Sequence, residues 1–401
     1  MPATQRHPHQ IPIIDISASL PQSEVAKQLV DAAATYGFVY VKNEGKDIPV
    51  EAIESIFDLS KKFFKSPVAE KEPCKISENN RGWVAMHGET LDPKSQKAGR
   101  ALSPTLLQIL LYMDIATNRI QIGDFKEAMN LGEFVDGRAQ QPLPAAFAGH
   151  EQELDQFQKY CHCLMSKILV LFGIGLEVLS LMPFVLTSIL TPRQIDPSKG
   201  GEDWFASRHR GTGPSGCTLR LLHYPPIPPG TDYRPSVDIR AGAHSDYGSI
   251  TLLFQRPGQP GLEIIPPSSS SESPNWTPVP VFPPTTESDP SPPILVNIGD
   301  LLSFWTNNLL KSTVHRVVFP AQERQSEDRY SIAYFGHPIG STVLEPVPSK
   351  MVEAMKDARG GIAGAESMTA DEHLMSRLKA TYLGMYRDGE VDEAQRAVAA
   401  T

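Results

Sequence analysis

Apolar positions along this chain follow two periods, and the change from one to the other marks where the architecture should change. In residues 23–36, Val25, Leu29, Ala32 and Ala33 share one side of a helix, which Gly37 ends. Residues 51–65 repeat the pattern with Ile53, Ile56, Phe57, Phe63 and Phe64, which read as core rather than as a binding surface. Elsewhere the period falls to two. Residues 11–17 alternate, residues 38–41 form a short buried run, and from Thr218 onward strand-like runs follow one another. The first of these, TLRLLHY (218–224), puts Arg220, Leu222 and Tyr224 on one face. AGAHSDYGSITLLFQ (241–255) continues as a strand rich in β-branched residues, followed by 261–265. Residues 293–298 and 301–305 read as a hairpin turning at Gly299-Asp300, and 313–317 and RYSIAYF (329–335) complete the set. Residues 70–98 read as polar loop with His87 on the surface, and 268–293 as a Ser- and Pro-rich loop around Trp276. The chain from Ser349 reads as a polar outer helical layer carrying His373. Many short strands with turn signals indicate a closed or double-sheet structure, mainly β with flanking helices.

Strand parity then selects candidate chemistry. His244 and Asp246 are two apart and share a face, while Ser245 looks the other way. An imidazole beside a carboxylate supplies two corners of a 2-His-1-carboxylate metal site, which leaves positions open for substrate and oxygen. His315, in TVHRV on a facing strand, offers the third. By itself His-x-Asp is a weak pattern, equally compatible with a strand histidine beside a solvent-facing aspartate. The downstream company changes that. Arg329 and Ser331 are again two apart, and a buried guanidinium needs an anionic partner. A planar fork plus a hydroxyl suits the far carboxylate of a short diacid.

Taken in order, GAHSDYGSITLL, STVHRV and RYSIAYF resemble the iron(II)/2-oxoglutarate-dependent dioxygenase superfamily in its isopenicillin N synthase-like branch. The likeness begins at IPIID (11–15), runs through YGFVYV (36–41), KKFF (61–64) and NRGW (80–83), and covers most of the chain. LRLLHYP (219–225), with GSITLLFQ, is similar to the fungal members that include thymine hydroxylases. The resemblance implies a double-stranded β-helix (jelly roll) with helices outside, and Fe(2+) held by His244, Asp246 and His315. It also implies 2-oxoglutarate chelating the metal through its keto acid end, with Arg329 and Ser331 on its distal carboxylate and Tyr224 adding a hydroxyl. Where relatives carry Asn two residues before the Tyr-Pro, this chain has Leu222. The implied reaction consumes O2, releases succinate and CO2, and oxidises (by hydroxylation first of all) a small-molecule C–H bond, with ascorbate as support. Arg220, Tyr247 and Phe335 are the substrate-pocket candidates, suited to a flat, polar heterocycle. Ordinary packing of the two aromatics and an internal acid partner for Arg220 remain the other reading. Two rivals stay open: an iron oxidase of isopenicillin N synthase type needing no 2-oxoglutarate, and a non-catalytic protein on the same scaffold.

Composition narrows the setting. The 401 residues carry 37 basic and 46 acidic side chains, a formal net charge of −9, with no Lys/Arg cluster among aromatics, so nucleic acid is not the expected partner. Four cysteines are too few for a disulfide framework and point to a reduced, cytoplasmic setting. Cys161-His162-Cys163 is not expected to bind zinc, because residues two apart on a helix do not face each other. The first ten residues lack the apolar core of a secretory signal, and His7 and His9 read as solvated.

The organisation expected is an N-terminal region (1–160), a helix and linker (161–212), the barrel (213–340) and a C-terminal helical segment (341–401). Two apolar stretches, 101–122 and 178–194, interrupt it. Joining Glu177 to Ile195 restores a continuous LEIDPSKGGEDWF, and a Gln-Ile pair marks the end of each stretch (121–122 and 194–195), where a CAG codon matches a common intron end. One or both read as translated introns, which transcript reads crossing them would refute. Residues 171–189 hold a single charge, Glu177, and mimic a membrane span. A crossing there would separate strands that should pack together, so no membrane association is expected.

Overall fold

The computed structural model describes residues 10–17, 20–92, 123–177, 201–211, 213–227, 238–266, 275–319, 327–359 and 368–381. The stretches 101–122 and 178–194, and the N-terminal His7 and His9, lie outside them. The helices are α1 (Gln22–Thr35), α2 (Val50–Phe64), the single turn α3 (Val68–Lys71), α4 (Glu151–Gly175), α5 (Asp300–Trp305), α6 (Lys350–Arg359) and α7 (Ala370–Thr381). The first seven strands are β1 (Ile13–Ile14), β2 (Phe38–Val41), β3 (Gly82–Val84), β4 (Glu127–Leu131), β5 (Phe134–Val135), β6 (Arg138–Ala139) and β7 (Thr218–Tyr224). The rest are β8 (Ala241–His244), β9 (Ile250–Gln255), β10 (Leu262–Ile264), β11 (Thr277–Pro278), β12 (Ile294–Ile298), β13 (His315–Val317) and β14 (Arg329–Gly336).

Helices α1, α2 and α3 each follow a proline, Pro21, Pro49 and Pro67, whose fixed φ and missing N–H cost nothing at a helix start. α1 stops at Gly37, which takes φ +68 and donates its N–H to the Ala33 carbonyl at 3.1 Å. A Cβ there would also strike the Lys311 carbonyl, so glycine is required twice over. α4 spans 25 residues. Cys161 on it is buried and Cys163 exposed, so the two thiols lie on different faces as expected. Among the described residues no helix is long and apolar enough to cross a membrane.

Eight strands form the large sheet, in the order β1-β2-β12-β9-β14-β7-β4-β3, and four form a smaller one, β11-β10-β13-β8. Alternation along the large sheet separates two cores. Leu219, Leu221, Leu252, Phe254, Ile332 and Tyr334 join the helices in one apolar cluster. Leu222, Tyr224, Leu295 and Ala333 meet Leu262, Ile264 and Val317 of the small sheet in the other. The inner space between the sheets is where the candidate site lies.

Four expectations are corrected. Residues 241–255 are not one strand: β8 belongs to the small sheet and β9 to the large one, with a bend between them. Residues 301–305 are helical, because the Asp300 and Leu301 N–H groups are taken by the carbonyls of Asp246 and Gly248, which starts α5 and turns Leu301, Leu302 and Trp305 inward. The supposed loops at 70–98 and 268–293 each lend a short strand, Gly82–Val84 and Thr277–Pro278, to a sheet edge. His373 is not an outer residue: it is buried, with its ring against Phe304.

Candidate metal centre and the cavity around it

His315 pairs directly with His244 in the antiparallel β13–β8 ladder, so the two imidazoles are side neighbours rather than facing across a gap. Their ring centroids are 4.3 Å apart. The ladder then slips by one residue, since Val317 pairs with Ala241, and such a bulge turns the His244 end of the strand. Asp246 follows in the bend. Its Oδ1 lies 3.8 Å from His244 Nε2 and 3.6 Å from His315 Nε2, and the three donor atoms all fall within 4.8 Å of one another.

The donor set is prepared for a cation. Both Nδ1 atoms are engaged by backbone carbonyls, His244 by Gly242 at 2.7 Å and His315 by Thr313 at 3.1 Å, which leaves each Nε2 lone pair turned to the shared space. Asp246 Oδ2 accepts from Thr251 Oγ1 at 2.6 Å and Asn297 Nδ2 at 2.7 Å, so Oδ1 is the oxygen left for a metal. Burial pushes His244 down to about 3, and the neighbouring His315 adds to the fall. Burial pushes the Asp246 carboxyl up, but the two imidazoles and the hydrogen bonds from Thr251 and Asn297 outweigh it and hold it below the ordinary range. A neutral His244 imidazole and an ionised Asp246 carboxylate are protonation states that suit a divalent iron. The residues fit the metal.

Two small compartments, of about 60 and 70 Å³, meet at His244 and Asp246. The first runs between the sheets to Tyr224, Arg329 and Ser331. Arg329 is 2 % exposed, and its hydrogen-bond partners among the described residues are neutral. Its guanidinium donates to Ser331 Oγ at 3.3 Å, Gln255 Oε1 at 3.3 Å and the Gln259 carbonyl at 3.2 Å, and lies 4.9 Å from the centre of the Tyr224 ring. Burial lowers its pKa, against the pull of the Tyr224 hydroxyl. No carboxylate among the described residues pairs with it. An enclosed cation with only neutral company calls for an anion from outside. The residues therefore fit the distal carboxylate of 2-oxoglutarate as well.

The second compartment reaches Ser245, Tyr247, Phe335 and His337. Arg220 and Phe335 line both. All nine sequence-selected site residues thus border one continuous space. Arg220 also has an internal acid, Glu89, whose two oxygens each lie 3.0 Å from Nη2. Sequence reasoning missed Glu89, which was absorbed into a loop, and Asn297 and Thr251, which no spacing to His244 marks. It also missed Leu374 and Leu378 of α7, which close the second compartment although the C-terminal helices read as an outer layer. Their helical spacing of four was the only available signal.

Comparison with known proteins accords with this geometry. A family model described as the 2OG-Fe(II) oxygenase superfamily matches residues 215–338. A second, described as the N-terminal region of non-haem dioxygenases in morphine synthesis, matches residues 11–146. A UPF0676 protein of Schizosaccharomyces pombe is 34% identical over 393 residues, 95% of this chain and 98% of the relative. The 2-oxoglutarate-Fe(II) type oxidoreductase ppzD of Metarhizium majus is 31% identical over 325 residues, 79% of this chain and 80% of the relative. A full-length thymine-7-hydroxylase of Neurospora crassa, solved with α-ketoglutarate and thymine, superimposes with a TM-score of 0.66 at 27% identity, covering 92% of this chain and 96% of that one.

Proposed function

This chain belongs to the 2OG-Fe(II) oxygenase superfamily and is a 2-oxoglutarate-dependent dioxygenase; from that premise we propose that it hydroxylates a small, flat, polar heterocycle. The observation that carries the reading is the inward-facing triad with the buried Arg329, which meets no carboxylate among the described residues, at the end of the same space. In this reading the two sheets are the halves of a jelly roll, with the triad at one mouth. His244, Asp246 and His315 hold Fe(2+). Arg329 and Ser331 take the distal carboxylate of 2-oxoglutarate, and Tyr224 braces the guanidinium from the neighbouring strand, where it is the register partner of Arg329. Bound there, iron with 2-oxoglutarate and O2 supplies the oxidising power, releasing succinate and CO2 and inserting one oxygen atom into the substrate.

The chain's own residues orient and exclude. Thr251 and Asn297 fix which Asp246 oxygen points to the metal. Leu222, Leu253 and Ala333 line the 2-oxoglutarate arm with apolar surface that keeps water from it. Tyr247 and Phe335 border the substrate arm, and Arg220 presents N–H donors to it. The Neurospora crassa neighbour was solved with thymine, which is of this size and shape. A small molecule in a reduced, cytoplasmic setting accords with the net charge of −9 and four free cysteines, with no nucleic acid or membrane partner.

The test is succinate release by purified protein supplied with iron, ascorbate and 2-oxoglutarate, screened over nucleobases and related heterocycles. Substrate-dependent succinate above the uncoupled background is the expected result. Oxygen uptake at full rate without 2-oxoglutarate would overturn it in favour of an oxidase that uses Arg329 for its substrate's carboxylate.

A further inference from the structure

Arg220 is held by a chain of buried charges that the catalytic reading does not use. Glu89 binds Arg220 Nη2 through both oxygens, and its Oε2 also lies 2.9 Å from Lys126 Nζ. Lys126 Nζ in turn lies 2.6 Å from Asp124 Oδ2. The four side chains are between 0 % and 12 % exposed. Arg220 and Glu89 line the substrate arm, while Lys126 lines the 2-oxoglutarate arm. These two cations and two carboxylates cancel one another in charge.

The consequence for a ligand follows from desolvation. An anion entering a buried site gives up its hydration and is compensated only where a cation is still uncommitted. At the Arg329 end that condition is met. At the Arg220 end an incoming carboxylate would meet Glu89 on the cation it needs. A neutral ring with N–H and C=O groups loses less on entry and can use the donors and acceptors already present. One acceptor is notably available: Asn130 is 1 % exposed, lines this arm, gives its Nδ2 to Asn80, and has an Oδ1 that accepts no hydrogen bond among the described residues. A carbonyl in that state invites an N–H and repels an anion. Burial pulls Lys126 down, but Asp124 and Glu89 raise it further, so the wall keeps its balanced charges.

We propose that Glu89 is a specificity-determining residue: by compensating Arg220 and Lys126 it restricts the substrate arm to uncharged polar molecules and rejects those bearing a carboxylate or phosphate. This rests on the assignment of the arm to substrate, so the test separates the two. The protein is loaded anaerobically with iron and 2-oxoglutarate, and formation of the visible charge-transfer absorbance of that complex is recorded first. Binding of matched pairs, nicotinamide against nicotinate and thymine against 5-carboxyuracil, is then followed by its perturbation of that absorbance. In the wild type the neutral member of a pair binds about tenfold or more tighter than its carboxylate. Glu89→Gln shifts the ratio toward the carboxylate by about tenfold or more, Glu89→Asp retains the wild-type ratio, and the double change Glu89→Gln with Arg220→Gln returns it. Each variant is compared only after it gives the same iron–2-oxoglutarate absorbance. Absence of that absorbance from the wild type would sink the functional assignment. With the absorbance present, carboxylates binding the wild type as tightly as their neutral partners, or a ratio unmoved by Glu89→Gln, would sink the specificity proposal alone.

Discussion

Arg329 and Arg220 stand on adjacent strands of one sheet, β14 and β7, both turned into the same cavity and both largely removed from water. Their surroundings differ in one respect. Among the described residues Arg329 has hydroxyl, amide and carbonyl partners only. Arg220 has a carboxylate on its guanidinium, itself tied to a lysine and a second acid. The same residue type therefore meets no described carboxylate at one end of the cavity and is paired with one at the other. Whether a buried cation recruits a ligand depends on what the protein has already placed against it. The compensated chain has a further effect, since Asp124 Oδ1 accepts from the Gly242 N–H while the Gly242 carbonyl engages His244 Nδ1. Arg220 and His244 thus lean on one continuous set of ion pairs and hydrogen bonds.

The largest effect belongs to the point where the two arms meet. Asp246→Ala removes the only carboxylate of the triad, and iron content of the purified protein and succinate release should both fall to background; turnover at wild-type rate would break the whole comparison. Next, Arg329→Met should weaken 2-oxoglutarate binding by about 2–5 kcal/mol, or about thirty-fold to more than a thousand-fold, because it strips a buried anion of its partner. Arg220→Met should leave 2-oxoglutarate affinity within about twofold and act on substrate KM instead, since its charge is already met by Glu89. Equal losses of 2-oxoglutarate affinity in both variants, measured by titration, would erase the distinction between the arms. Asn297→Ala, which frees one hydrogen bond on Asp246, should weaken iron binding by about 10- to 100-fold in chelator competition while leaving the contrast between the arginines intact. The smallest effect is in pH. The folded-state pKa of Lys126 is raised above 10.5, so the stability it confers is fully present below that pH and is lost only as pH rises through the higher folded value. Urea midpoints should therefore hold steady up to about pH 10.5 and decline above it; a decline beginning near neutrality would mean that the compensated chain is not charged as described.

Much of the site was legible because strand parity is a local property. His244 and Asp246, and then Arg329 with Ser331, Ala333 and Phe335, follow from counting by two, and each residue so selected borders the cavity. The same local logic failed at 241–255, where an unbroken run of strand formers is divided between two sheets by a bend that no residue in it announces. It failed again at 301–305, whose apolar residues suit strand or helix and whose start is decided by carbonyls of Asp246 and Gly248. Of the two open readings of Arg220, the internal acid partner is present as Glu89, and the side chain also lines the cavity.

Sequence alone determined which side chains share a face, and so paired His244 with Asp246 and Arg329 with Ser331, because alternation along a strand needs no knowledge of distant residues. Tertiary structure decided which of the buried charges are satisfied. Arg220 and Glu89 lie 131 positions apart, and Asn297 meets Asp246 across 51. Coulomb and hydrogen-bond partners are chosen by proximity in space, and only the folded chain brings those residues together.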